Sequence, residues 1–345
     1  MKPGISDAEA IATVTAALSA WCKAAPEVEP GQGRLQVDAV VRVAGGIFLV
    51  EYISSSESVP VQRGLAMLRS AGEPYPGATL LLVVPHMGPV GAALSAQAGA
   101  SWLDLSGNAR IDAPGLVVDI SGKPNLFVRP GRPSSPFAPK SSRVVRRLLA
   151  ATEPLSQAQL SELTGLTDSF VSKIVRRLHD DRLVSKDSSG RLYVPDRKLI
   201  FTGWAAEYAF SKHELHQFGN GAASKVDIDA FASFCRREGV HHAFTGESAA
   251  HLLAGVGFSA VKAYVHPEDA HKLAGLGDNL GAGAVTVAIP VDEGVLQGAQ
   301  EVDGLSVVVL VQALLDLDSA SSTDARNCLD ELAFYSSHTG QEHGN

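Results

Sequence analysis

A multidomain protein of mixed α/β and α+β folds is what this 345-residue sequence predicts, on three observations. Helix and strand signals alternate before residue 122 and again after residue 199, the order expected of layered α/β domains. Between them, residues 141–198 carry three short helical patterns and a hairpin pattern instead. Residues 123–140 hold five prolines, at 124, 130, 133, 136 and 139, which favours an extended connector. Four segments follow: 1–122, 123–140, 141–198 and 199–345.

Composition bounds the rest. The chain is 45 % hydrophobic, enough for several cores. Cys22, Cys235 and Cys328 lie far apart with no CxxC spacing, so neither a zinc knuckle nor a disulfide framework is expected. The first ten residues lack the basic and apolar regions of a signal peptide, and runs such as 307–311 are too short to span a bilayer. A cytoplasmic protein without membrane partner or cofactor is expected.

In the first segment, residues 8–23 read as a helix, and 34–43 and 47–54 as strands joined at Gly45-Gly46. A helix over 61–69 precedes the apolar run 79–85, which reads as a buried strand. A helix over 90–98 and short strands through SWLDLSG and GLVVDIS complete it. Asp38 and Glu51 fall on adjacent strands. This arrangement resembles the PD-(D/E)xK, restriction-endonuclease-like fold, which implies carboxylates holding a divalent cation and a lysine two residues after the second acid. Here that lysine is Ile53, so the resemblance implies a degenerate domain, with Asp38 and Glu51 as vestigial candidates and no catalytic residue or metal. An active nuclease using Arg63 as a migrated cation is one alternative, and plain strand-end carboxylates are another. SWLDLSGNARI, residues 101–111, resembles a feature of regulators that place such a domain before a DNA-binding module.

The connector carries Lys123, Arg129, Arg132 and Lys140. It reads either as a basic arm that tracks a phosphate backbone or enters a minor groove, or as a solvated linker.

Residues 140–196 then read as a winged helix-turn-helix. Val144, Val145, Leu148 and Leu149 recur at helical spacing, which leaves Arg143, Arg146 and Arg147 on the wet side. Pro154 ends that helix. Ser156 and Gln159 have the form of a capping box for a helix over 157–164, Gly165 fits the turn, and Thr167 or Asp168 caps the third helix. There Val171, Ile174, Val175 and Leu178 form the apolar stripe, opposite Ser169, Ser172, Lys173 and Arg176. A major groove needs such a surface, with short hydroxyls near the helix N-terminus and cations further along. Residues 183–194 alternate through a DSSG turn, forming a wing that carries Lys186 and Arg191. Residues 121–200 contain 15 Lys and Arg against 7 Asp and Glu, a net of +8, while the whole chain is −8 and the remainder therefore −16. Half the cations in one module point to a polyanion, double-stranded DNA. Residues 153–194 resemble the DNA-binding core of MarR-type transcriptional regulators. The candidate DNA contacts are Ser169, Ser172 and Lys173 at base edges, Arg176 and Arg177 at guanine or phosphate, Lys186 and Arg191 on the wing, and Arg146. An ordinary three-helix packing module with a solvated basic face is the plain alternative.

After the wing, residues 196–212 read as a helix with Phe201, Trp204, Ala205 and Tyr208 on a core face. Residues from 226 onward alternate helix and strand signals. Val302-Asp303-Gly304-Leu305, Val311-Gln312 and Leu315-Asp316-Leu317 resemble the C-terminal portion of the AbiEi family, antitoxin-like regulators of type IV toxin–antitoxin systems. That resemblance implies repression of the operon encoding a nucleotidyltransferase toxin. FTGESAAHLL followed by VKAYVH resembles a degenerate nucleotidyltransferase core without its paired acids, with Glu247, Glu268 and Asp269 as surface or cap residues. His241, His242, His251, His266 and His271 fit no ligand frame, HELH at 213–216 lacks i, i+4 spacing, and residues 275–284 read as a glycine-rich loop. The leading expectation is an autoregulating repressor, possible as a homodimer because dimeric readers bind paired half-sites. A metal-dependent nuclease with a DNA-delivering winged helix is a second expectation. A protein that neutralises a toxin by direct contact, docking a basic partner on its acidic flanks, is a third.

Overall fold

The computed structural model describes residues 5–31, 37–127, 135–277, 280, 282–317 and 321–334. It divides into two compact units, Met1–Pro133 with Asp180–Arg182, and Ser134–His179 with Leu183–Asn345. Arg129 and Arg132 of the connector lie outside the described residues.

In the first unit, α1 (Asp7–Cys22) starts at a capping box formed by Ser6 and Glu9. It is followed by β1 (Glu27–Pro30), β2 (Ala39–Val43), β3 (Gly46–Tyr52), α2 (Ser58–Gly72), β4 (Thr79–Val84), α3 (Pro89–Gln97), β5 (Ser101–Asp104), β6 (Ala109–Ala113) and β7 (Leu116–Ile120). The seven strands form one sheet in chain order. β3, β4 and β5 run parallel because α2 and α3 cross between them, whereas the outer pairs are antiparallel. The β2–β3 turn falls at Ala44-Gly45, one residue earlier than the glycine pair suggests. Both residues have positive φ, 47° and 82°, and Val43 faces Gly46. A two-residue turn of that kind follows the strand twist, so the second glycine becomes the first residue of β3. β1 escapes sequence reading because all four of its residues are exposed, leaving no apolar alternation to detect.

Alternation along β3 divides the core. Phe48, Val50 and Tyr52 join Val41, Leu81 and Val83 under Ala10, Val14 and Leu18 of α1. Leu49 and Ile53 point the other way, toward α2. There Gly64 admits close contact: a Cβ at that position would stand 2.7 Å from Ile53 Cγ1 and 3.0 Å from Leu82 Cδ1.

The second unit opens with α4 (Ser142–Ala150), α5 (Gln157–Thr164), α6 (Asp168–Asp180) and a hairpin of β8 (Ser185–Lys186) and β9 (Leu192–Tyr193). Leu155 bridges to Leu192 and adds a third short strand contact. Next come α7 (Arg197–Glu207), β10 (Glu214–Phe218), α8 (Lys225–Glu238), β11 (His242–Phe244), α9 (Gly246–Ala254), β12 (Val261–Val265), β13 (Val285–Ile289), β14 (Gln300–Val302), β15 (Leu305–Val307), α10 (Leu310–Leu315) and α11 (Thr323–Phe334). A mixed six-stranded sheet runs β10-β13-β12-β11-β15-β14. Central β12 is buried at all five positions, whereas β10 at the edge is mostly exposed. That exposure hid β10 behind its histidines in the sequence. Among the described residues, no helix is long and apolar enough to cross a membrane.

Candidate nucleic-acid interface

The α4–α5–α6–hairpin module is built as its local sequence dictates. Ser156 Oγ accepts from Gln159 N, and Gln159 Oε1 accepts from Ser156 N at 2.8 Å, so two donors at the α5 start are satisfied reciprocally. Gly165, at φ 65°, takes the left-handed turn to α6. The Thr167 carbonyl accepts from Phe170 N and Val171 N, so this residue starts α6 through its backbone. Val171, Ile174, Val175 and Leu178 are all buried. Ser169, Ser172, Lys173 and Arg176 are exposed on the other side, Arg177 is half-buried, and Asp168 adds one acid at the helix start. On the hairpin Lys186 and Arg191 are exposed. Arg191 leans back on Asp187 at 3.4 Å and on Ser189 at 3.1 Å, which places a cation over the turn without freeing it fully. Two further groups belong to this module, of which Tyr193 escaped sequence reading. Tyr193 is 41 % exposed on β9, and Lys140 Nζ lies 5.7 Å from the Phe170 ring centroid. An aromatic one place past a strand's apolar residue, as Tyr193 is to Leu192, is the signal for the first.

Arg146 does not belong to this surface. It is 2 % exposed, donates from Nε to Gln312 Oε1 at 3.0 Å and from Nη1 to the Gly294 carbonyl at 3.1 Å, and stacks 5.3 Å from the Trp204 ring. Arg143 is likewise held by Asp292 at 2.7 and 2.8 Å, and Arg147 is half-buried. The expectation that the three arginines stay wet fails because α4 packs on two sides, against α5 and against α10 of the same unit. Arg197 is also drawn inward, onto the carbonyls of Leu149, Ala151 and Ala333. Four of the fifteen cations counted from the sequence are therefore drawn inward, while α6 and the hairpin keep Lys173, Arg176, Lys186 and Arg191 exposed.

Behind α4 lies a buried polar network. Asp316, fully buried, accepts from Tyr208 Oη, from Thr245 Oγ1 at 2.5 Å and from Gln312 Nε2 at 2.9 Å. Burial pushes its carboxyl up to about 6 against the pull of those donors. His213 Nε2 meets Tyr208 Oη at 3.0 Å and Tyr264 Oη at 3.2 Å, and Nδ1 accepts from Val291 N. Burial, with Arg146 nearby, lowers this imidazole to about 4, so it is neutral at pH 7. Nearby acids also depart from the sequence reading. Glu247 is buried and accepts from Ser259 N, Ser259 Oγ and Ser322 N, clamping two loops, and Asp269 takes His241 N and Lys272 Nζ at 2.8 and 2.6 Å. Part of the 275–284 loop, residues 278, 279 and 281, lies outside the described residues.

In the first unit the two sequence-predicted carboxylates do meet. The register Ala39↔Val50 sets Asp38 beside Glu51, and Asp38 Oδ2 accepts from Tyr52 N at 2.7 Å. Glu51 is 5 % exposed and its Oε2 lacks a partner. Burial first, then the Asp38 charge, raises its carboxyl to about 7. Ile53 lies against Gly64 of α2, so the position of the expected lysine serves helix–sheet packing. Among the described residues, no group of three or more His, Cys, Asp or Glu is placed to hold a metal ion. The SWLDLSGNARI stretch is a loop-fixing knot. Asp104 accepts from Met87 N, Ser106 N, Asn108 N and Asn108 Nδ2 at 2.8 to 3.0 Å, with His86 Nδ1 at 3.1 Å. Burial would raise this carboxyl, but the combined donors hold it below its usual value.

Comparison with protein-family models, with curated proteins and with solved structures finds no match for this chain.

Proposed function

We propose that this chain is a sequence-specific DNA-binding transcriptional regulator, an autoregulating repressor of the AbiEi kind, whose residues 141–198 act as a winged helix-turn-helix. The observation that carries this reading is the division of α6. Its apolar stripe is buried while Ser169, Ser172, Lys173 and Arg176 stand together in solvent, and the adjoining hairpin exposes Lys186 and Arg191. Hydroxyls and amphipathic cations on one helix face suit base edges and phosphates of a major groove, and a hairpin cation suits the flanking backbone. Arg177 is a phosphate candidate at the helix end.

The test is a fluorescence-anisotropy titration against the chain's own upstream DNA and a scrambled duplex at two salt concentrations. Tight, salt-sensitive binding preferring the upstream duplex by about a thousandfold is expected. Lys173→Ala and Arg176→Ala should each cost about 1–3 kcal/mol where a base contact is lost. Unchanged affinity in both removes α6 from the interface.

A second reading, a metal-dependent nuclease, draws on the Asp38–Glu51 pair and the unpartnered Glu51 Oε2. Against it stands Ile53, an apolar side chain packed on α2 where phosphate chemistry needs a cation. Nicking of supercoiled DNA with Mg²⁺ or Mn²⁺ that Asp38→Ala and Glu51→Ala abolish would establish it; intact DNA would retire it.

A further inference from the structure

In the second unit a cavity of about 340 Å³ lies between α8, the start of β11 and the β14–β15 hairpin. Clefts that take small molecules run from about 300 to 1,000 Å³, so this one suits a compact ligand. Its lining includes Arg236, His242, Gln300, Glu301 and Ser306. Arg236 and Glu301 are exposed and of opposite charge, yet among the described residues neither forms an ion pair. They stand further apart than a direct bridge allows. Arg237, the next residue of α8, is by contrast tied to Glu238 at 2.8 Å.

His242 adds an orphaned acceptor. Its Nδ1 stands 3.1 Å from the Val240 carbonyl, and because a carbonyl only accepts, Nδ1 carries the proton. Burial first, and the Arg236 charge as well, lower this imidazole below its usual value against the pull of Val240, so the ring is neutral. Nε2 is then a lone-pair acceptor, and it is buried without a partner. Buried polar atoms are rarely left so, and the gap marks a missing donor. Phe231 and Phe244 pack edge-on against the ring, with centroids at 5.5 and 5.7 Å, and fix its plane.

A cation, an anion and an acceptor therefore meet one cavity, each without a protein partner. We propose that this cavity binds a free α-amino acid with a neutral polar side chain, its carboxylate on Arg236 and its ammonium between Glu301 and His242 Nε2. A zwitterion sets an opposite charge before each of the two ionised residues, whereas a simple anion would be repelled by Glu301 and a simple cation by Arg236. Gln300 and Ser306 offer an amide and a hydroxyl to the side chain, and the lining holds no third ionised residue to match a charged one. All these residues belong to α8 and the C-terminal sheet, so the site stands whether or not the helical module binds DNA.

L-Glutamine is the probe, titrated calorimetrically into the full chain, and saturable binding is expected below about 10 mM. Two blocked analogues separate the charges, since L-glutamine methyl ester lacks the carboxylate and N-acetyl-L-glutamine lacks the ammonium. Each should bind at least about tenfold more weakly, the loss of one charge-assisted contact. Arg236→Gln and Glu301→Gln should each weaken L-glutamine by at least about tenfold. The methyl ester should be indifferent to Arg236→Gln, and the N-acetyl form to Glu301→Gln. No saturable binding, equal binding of either blocked analogue, or full affinity in either variant overturns the site. Both side chains are exposed, so the melting temperature should not move; if it falls in a variant, the analogue comparison on the parent chain decides by itself.

Discussion

Replacing Arg146 by methionine separates a core arginine from a DNA-contacting one. The change strands Gln312 Oε1, a buried acceptor whose lost partner costs about 1–3 kcal/mol, and leaves the Gly294 carbonyl with the 3.3 Å bond from Gln297 N. It also removes the cation from the Trp204 face, worth about 2 kcal/mol where desolvated. Relief of the charge's own desolvation offsets part of this, and the expected net loss is about 1–3 kcal/mol, the order of one stranded buried acceptor. For a unit of this size the melting temperature should fall by roughly 5 °C. Urea unfolding followed by Trp204 emission, with Trp21 and Trp102 replaced by Phe, reads this unit alone. DNA affinity of the folded variant should match the parent's. Stability unchanged within about 0.5 kcal/mol, together with a tenfold loss of DNA affinity, would refute the burial argument and return Arg146 to the interface.

Three further outcomes follow from individual sites. Glu51→Gln should stabilise the first unit at pH 8 by about 2–3 kcal/mol, since a carboxyl raised to about 7 favours folding fully below its unfolded value of 4.5 and loses that contribution as pH rises through 7; urea midpoints at pH 4 and pH 8 check this, and a pH-independent gain contradicts it. Gly64→Ala should destabilise the same unit by about 1–3 kcal/mol because the new methyl meets Ile53 and Leu82, and a neutral result in thermal unfolding would mean α2 shifts freely on the sheet. Ser156→Ala should cost about 1 kcal/mol in urea unfolding through loss of the α5 capping box, while Ser156→Asp should retain most of it.

The N-terminal candidates illustrate how far spacing reaches. Asp38 and Glu51 were legible as neighbours because a short hairpin fixes register, and register carries residues 38 and 51 together. Their protonation was not legible, since Glu51 owes its raised value to burial and to its neighbour's charge, both products of packing. Asp104 was visible as part of a recurrent phrase, yet its role as a knot needed Met87 and His86, some seventeen residues away in sequence.

By itself, the sequence determined the local devices of the helical module: the Ser156–Gln159 box, the Gly165 turn, the buried stripe of α6 and the hairpin after it. Each depends on residues within one or two turns, where side-chain chemistry acts directly on the backbone. Tertiary structure alone decided the fate of the cations and the existence of the cavity. Helical periodicity reports a single apolar stripe, so an arginine opposite that stripe reads as solvated; α4 has a second packing face, and the partners that bury Arg146, Gln312 and Gly294, come from about 150 residues further along the chain.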